Sequence, residues 1–230
     1  AIGLVGSEMC IRDRIIRAFM NGKILRNNLS GKCDSIHFSQ LTGIAQLINK
    51  QNSFNGRSRK IKKPILWSNK SQITGDSIHI KFDTDKNIID SLFVFDNAFI
   101  IEKDTLEIGF NQISGKRLNG NFIDGKLKEV DIIKNAESVY YLRNSENELI
   151  GIDKSKSAKI KILISEENID TFTKINQIDG NVFPEDEFNE NDKLLKGFFF
   201  REDEIIKTID DLFIEDKNCL LYTSPSPRDQ

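Results

Sequence analysis

Ile78, Ile80 and Phe82 alternate with His79 and Lys81, the two-residue period of a half-buried β-strand. Ile160, Ile162 and Ile164 repeat the pattern, as do Val130 and Ile132. The spacing predicts strands over 78–82, 92–95, 98–101, 127–133, 139–142 and 159–164, all short and rich in Ile, Val and Phe. Asp-Asn, Asn-Gly, Asp-Gly and Gly-Lys pairs punctuate them, among them Asn119-Gly120 and Asp124-Gly125, and read as turns. Short strands joined by tight turns predict an all-β, antiparallel protein. Helix is expected only near the ends. Ile205, Ile206, Ile209, Leu212 and Phe213 recur at helical spacing over 202–213 behind an acidic first turn, and 15–19 reads as a helix stub.

The chain also repeats itself. A phrase of a polar residue, Asn or Gln, an aliphatic residue, a small or acidic residue and Gly occurs at 27–31, 71–75, 111–115 and 176–180, with a fainter unit at 157–162. A period of about 40–44 residues predicts stacked supersecondary units. Asp-Ser-Ile-His occurs twice, at 34–37 and 76–79, and holds both histidines of the protein. His37 and His79 read as outward-facing strand residues duplicated with the repeat. Asp34 and Asp76, just after a glycine or before a strand, read as turn residues.

Composition narrows the function. The 230 residues are 38% hydrophobic and carry a net charge of −2 with 30% charged residues, a mixed surface unlike that of a nucleic-acid binder. No run of about 18 apolar residues marks a membrane-spanning helix. Sixteen Phe against one Trp and three Tyr is an apolar choice of aromatics. The head 1–14 and the tail 219–230 resemble translated sequencing-adapter sequence, notably SEMCIRDR and LLYTSPSPRD, and are expected to be non-native. That leaves Cys33 as the one cysteine of the interior sequence and no internal disulfide. A basic run (Arg57, Arg59, Lys60, Lys62, Lys63) and an acidic run (Glu185, Asp186, Glu187, Glu190, Asp192) read as solvated loops, and Arg57, Arg59 and Lys60 are candidate phosphate contacts. No GxSxG, HExxH, Walker loop or CxxC occurs, and no nucleophile–base pair or metal-ligand spacing. The expectation is a protein that is not an enzyme and uses no metal or cofactor.

Pro64-Ile65-Leu66-Trp67-Ser68 is followed by Gln72-Ile73-Thr74-Gly75-Asp76-Ser77-Ile78. Asn111-Gln112-Ile113-Ser114-Gly115-Lys116 is followed by Gly120-Asn121-Phe122, then Ala136 and Tyr140-Tyr141, and Gly180-Asn181-Val182-Phe183-Pro184 precedes Leu195-Lys196-Gly197-Phe198. In this order they resemble the OstA-like family, the periplasmic lipopolysaccharide-transport proteins of the LptA type. The resemblance covers roughly 24–200, and departs from the pattern at Ile152-Asp153 and in the basic stretch 51–63. It implies an open, V-shaped β-jellyroll over 15–200, followed by a helical segment over 201–218. The implied function is a periplasmic module, associated with the outer membrane, that holds lipopolysaccharide acyl chains in an apolar groove. Partners would be lipopolysaccharide, other transport components or a second copy bound through strand edges, and no nucleic acid. The groove face would comprise Ile36, Phe38, Ile78, Ile80, Phe82, Phe93, Phe95, Ile160 and Ile162. The other reading is a non-catalytic repeat-β scaffold or interaction protein whose apolar residues only pack on one another.

Overall fold

The computed structural model describes residues 3–5, 8–12, 14–26, 29–49, 53–54, 57–58, 63–68, 71–104, 106, 109–165 and 168–214. The early strands are β1 (Gly3–Val5), β2 (Glu8–Arg12), β3 (Ile15–Arg26), β4 (Leu29–Ser39), β5 (Ile44–Ile48), β6 (Ser53–Phe54), β7 (Arg57–Ser58) and β8 (Ile65–Ser68). Then come β9 (Ser71–Thr74), β10 (Ser77–Asp83), β11 (Ile88–Lys103), β12 (Phe110–Ile123), β13 (Lys126–Arg143), β14 (Leu149–Ser165), β15 (Asn168–Ile175) and β16 (Asp179–Phe183). Every pairing is antiparallel. Among the described residues all but the β6–β7 hairpin join one fourteen-stranded sheet.

That sheet is folded along one line into two facing layers, an antiparallel β-jellyroll. The long strands switch layers at a corner, where the ladder register shifts: between Phe19 and Gly22 in β3, Phe95 and Ala98 in β11, Ser114 and Arg117 in β12, and Ile133 and Ala136 in β13. Left-handed pairs occupy three of these corners, Met20-Asn21, Asp96-Asn97 and Lys134-Asn135, and a fourth pair, Asn176-Gln177, lies between β15 and β16. Asn and Asp tolerate this conformation best, and their recurrence here is the chemistry of the corner. The first layer holds the first halves of β3, β11 and β13, the second halves of β4, β12 and β14, and all of β5, β10 and β15. The second layer holds the opposite halves with β8, β9 and β16.

The repeats have a geometric meaning. Ser35, Ile36 and His37 of β4 pair with Ile48, Leu47 and Gln46 of β5, which pair on their other side with Ser77, Ile78 and His79 of β10. The two Asp-Ser-Ile-His phrases therefore flank one strand in the same register. The phrases at 71–75 and 111–115 flank β11 likewise: Ile73 and Ile113 both face Ile100, and Gln72 and Gln112 both face Ile101. Gly75 and Gly115 close them at the corner, where a Cβ would sit 2.1 Å from Val94 Cγ1 and 2.5 Å from Ile132 Cγ2.

Five sequence expectations change. Segments 92–95 with 98–101, and 127–133 with 139–142, are single bent strands, because the Asp-Asn and Lys-Asn pairs between them are corners and not hairpin turns. Asn119-Gly120 lies inside β12, with Gly120 against Leu92 and Leu127, and Asp34 lies inside β4. Asp124-Gly125 is a true turn with both φ positive. Residues 15–19 are strand, paired to β2 and β4, and the strands β1 and β2 fall within the adapter-like head. Over 202–213 only Ile209–Phe213 is α-helix, behind a 3-10 turn at Glu202–Glu204. The helix starts late because Thr208 caps it: the hydroxyl accepts from Asp211 N–H and the Asp211 carboxylate accepts from Thr208 N–H.

Candidate functional site

Alternation decides what each layer presents. In the first layer Ala18, Ile36, Leu47, Ile78, Val94, Leu118, Ile132 and Ile160 form one cross-strand row facing the interior. Phe38, Ala45, Ile80, Leu92, Val130 and Ile162 form the next. From the second layer Ile24, Leu66, Ile73, Ala98, Ile113 and Ala136 meet them in the same core cluster. The interior is filled: Ile36, Ile78, Ile80 and Ile160 are 0% exposed and Phe82 is 4% exposed. Phe38 stands edge-on to Phe82, ring centroids 6.0 Å apart. Seven of the nine residues expected to line a groove thus share the inner face.

Phe93 and Phe95 do not. They are one step out of phase with Leu92 and Val94, so they lie on the outer face of the first layer. Phe95 contacts His79 there, ring centroids 4.8 Å apart, and Phe93 stacks on Phe95 at 6.5 Å. His79 is outward as expected but half-buried rather than bathed in water, and this burial lowers its pKa. Lys81, also outward, is exposed and 3.2 Å from Asp90. Arg59 and Lys60 lie outside the described residues, as does the side chain of Arg57.

Polarity inside the fold is uneven. Along the rim of the second layer's inner face run Arg26, Leu29, Ser68, Ser71, Glu102 and Asn111, each opposite the next. Tyr140, Asp153 and Val182 occupy the same rim on β13, β14 and β16. At this end Lys174 of β15 crosses from the first layer to Asp153 of the second, 2.6 Å to each carboxylate oxygen. Ser155 donates to the same carboxylate at 3.0 Å, and Ser138 joins Ser155 at 2.9 Å. Tyr140 and Phe172 meet beside this pair, centroids 5.3 Å apart. The opposing rim of the first layer is apolar, with Phe82, Phe122, Leu127 and Ile164.

Arg26 stands apart from the other buried charges. It is 8% exposed, its guanidinium lies 5.0 Å from the Phe82 ring centroid, and its Nη1 is buried without a hydrogen-bond partner. Burial lowers its pKa. The buried Asp104, by contrast, is held by Arg143 through Nε at 2.8 Å and Nη2 at 2.5 Å.

The outer face of the second layer is covered by residues 184–214, an extended strap. Phe188, Leu195, Phe198 and Phe200 pack on Phe99, Ile101, Val139, Tyr141 and Ile152. Two buried glutamines pin it. Gln112 donates to Lys193 O at 2.7 Å and accepts from Leu195 N–H at 2.9 Å. Gln72 donates to Phe199 O at 2.6 Å and accepts from Arg201 N–H at 2.7 Å. Each amide thus replaces one step of a strand ladder. Sequence reasoning missed these residues, Arg26, and the Lys174–Asp153 pair. The one signal for the glutamines was their identical place in two repeat phrases.

Among the described residues no group of three or more His, Cys, Asp or Glu is arranged to hold a metal ion, and no helix is long and apolar enough to cross a membrane. No family model matches the chain, and no curated protein does. Among solved structures it is similar to the crystal structure of LptH, the LptA homologous periplasmic component of the conserved lipopolysaccharide transport device from Pseudomonas aeruginosa. The TM-score is 0.46 at 12% identity, over 68% of this chain and 95% of that one. A likeness this distant assigns no function.

Proposed function

We propose that this chain is a lipopolysaccharide-binding transport module of the periplasm, serving the outer membrane, that holds acyl chains between the two layers of its jellyroll. The observation that carries this reading is the inner lining: an unbroken apolar row from Ala18 to Ile160, meeting a polar rim on one layer and an apolar rim on the other. Such a surface suits an amphiphile, with chains against the aliphatic rows and the polar group at the rim. Each methylene transferred from water into it gains about 0.8 kcal/mol. Strand edges supply the means to stack. Among the described residues β15 and β16 pair only with β14, so each layer ends in an edge that an added strand could extend. A second copy or another transport component is the partner this implies.

One observation favours the second reading, a scaffold without ligand. The central inner side chains are fully buried against one another, so a lipid must displace packing and separate the rims. Replacing Ile80 or Phe82 by Asp therefore does not test binding, because a buried unpaired carboxylate unfolds the core. Phe38 and Phe93 make a fair pair: both are half-buried aromatics of the first layer, on opposite faces. With a photoreactive phenylalanine at 38, crosslinking to lipopolysaccharide is expected; at 93 none is. Absence of crosslink at 38, in protein shown by circular dichroism to be folded, selects the scaffold.

A further inference from the structure

We infer that Arg26 is the anion-recognition residue of the interior, and that it takes a phosphate group of the bound amphiphile at the rim between the layers. The inference rests on the lipid-binding reading and adds to it the ligand's charge and its orientation.

The argument starts from an imbalance. A buried cation is costly unless paired and hydrogen-bonded. Among the described residues, the other buried Lys and Arg side chains of the second layer and its strap each have a polar or charged partner. Lys23 donates to the carbonyls of Asp211 and Ile214, Lys32 lies 3.9 Å from Glu204, and Arg201 is held by Glu204 through Nε and Nη2, both at 3.0 Å. Arg26 faces inward, and what it touches is the Phe82 ring. Cation–π contact satisfies the face of a guanidinium and leaves its N–H edge unused. A phosphate matches that edge with two parallel hydrogen bonds.

Position supports the same ligand. Arg26 ends β3 on the polar rim, in the cross-strand row that continues through Ser68 and Ser71. Directly beneath lie Phe82 and Phe38, the aromatic end of the apolar rows. An amphiphile whose phosphate meets Arg26 lays its chains on those rings without turning. The aromatic contact holds the guanidinium at the rim before ligand arrives, which reduces the ordering cost of binding.

The test uses the full chain with three probes: phosphorylated lipid A, the same lipid A dephosphorylated, and inorganic phosphate. Arg26→Gln should weaken binding of the phosphorylated lipid on the order of tenfold and leave the dephosphorylated lipid unchanged. Arg26→Met should raise the urea midpoint of the free protein, because it removes a buried unsatisfied cation; a purely structural arginine would lower it. Several outcomes overturn the inference. If the unaltered chain binds both lipids equally, the lipid reading stands and the role of Arg26 falls. If neither lipid binds, both fall. If inorganic phosphate alone binds in an Arg26-dependent way, the site serves a free anion and the headgroup assignment is wrong.

Discussion

The two outer faces of the jellyroll are built from the same bent strands and are treated in opposite ways. That of the second layer presents Phe99, Ile101, Val139, Tyr141 and Ile152 and lies under the strap. That of the first layer presents Arg17, His37, Gln46, His79, Phe93, Asn119, Asp131 and Lys161 in one cross-strand row and, among the described residues, lies under no such strap. Strands covered on both sides read as continuous apolar runs, as in Ala98-Phe99-Ile100-Ile101, whereas strands open on one side alternate, as in Ile78-His79-Ile80-Lys81. A single strand such as β11 changes from one grammar to the other as it passes its corner. The layer a segment belongs to is thus written in whether its second face is apolar.

The strongest way to break this comparison is to remove the pins from the covered face. Gln72→Leu or Gln112→Leu deletes both hydrogen bonds to the strap and leaves a backbone carbonyl and N–H of the strap buried and unmet. Each unmet group costs about 1–3 kcal/mol, so each variant should lower stability measurably in urea. Gln46 is the matched control: it is half-buried on the other outer face, between His37 and His79. Gln46→Leu should stay within about 0.5 kcal/mol of the parent. A cost at Gln46 equal to that at Gln72 would mean the two faces are not energetically distinct.

A smaller change sharpens the comparison at the level of packing. Val139 is buried under the strap and Phe93 is half-buried on the uncovered face. Val139→Ala should cost more than Phe93→Ala per carbon removed, because only the former leaves a cavity closed on both sides. Urea midpoints of the two variants at equal m-value decide it.

How far the sequence discloses this fold follows from the range of the interactions involved. Alternation at 78–82 and 159–164 is local, and it located both the strands and their inner residues. The antiparallel, repeat-built class was legible for the same reason. Phe93 and Phe95 were misplaced because apolar identity was read in place of phase; Leu92 and Val94, each beside them, carry the inner parity. Corners were mistaken for hairpin turns because left-handed Asn and Asp serve both. The glutamine pins were out of reach: their strap partners lie 81 to 129 residues away, and no local pattern reports a contact at that distance. Arg26 looks in the sequence like any charged residue near a loop, and only its burial against Phe82 marks it.

The finest test of the uncovered face is its response to pH. Burial against Phe95 lowers the pKa of His79 from its ordinary 6.5. The unfolded chain therefore takes the proton first, and at pH below about 6.5 it binds more protons than the folded chain. Stability at this site should fall as the pH drops through the unfolded value toward the folded one, and level off below both. His79→Gln removes the titration and should flatten that part of the stability profile measured between about pH 5 and 7. Phe95→Ala should have a related effect by a different route: it returns the imidazole to water, raises its pKa toward 6.5 and reduces the slope while keeping the histidine. If His79→Gln leaves the slope intact, the titrating group lies elsewhere. If Phe95→Ala alone leaves it intact, the ring is not what keeps water from the imidazole, and the uncovered face is more buried than the open alternation of β10 implies.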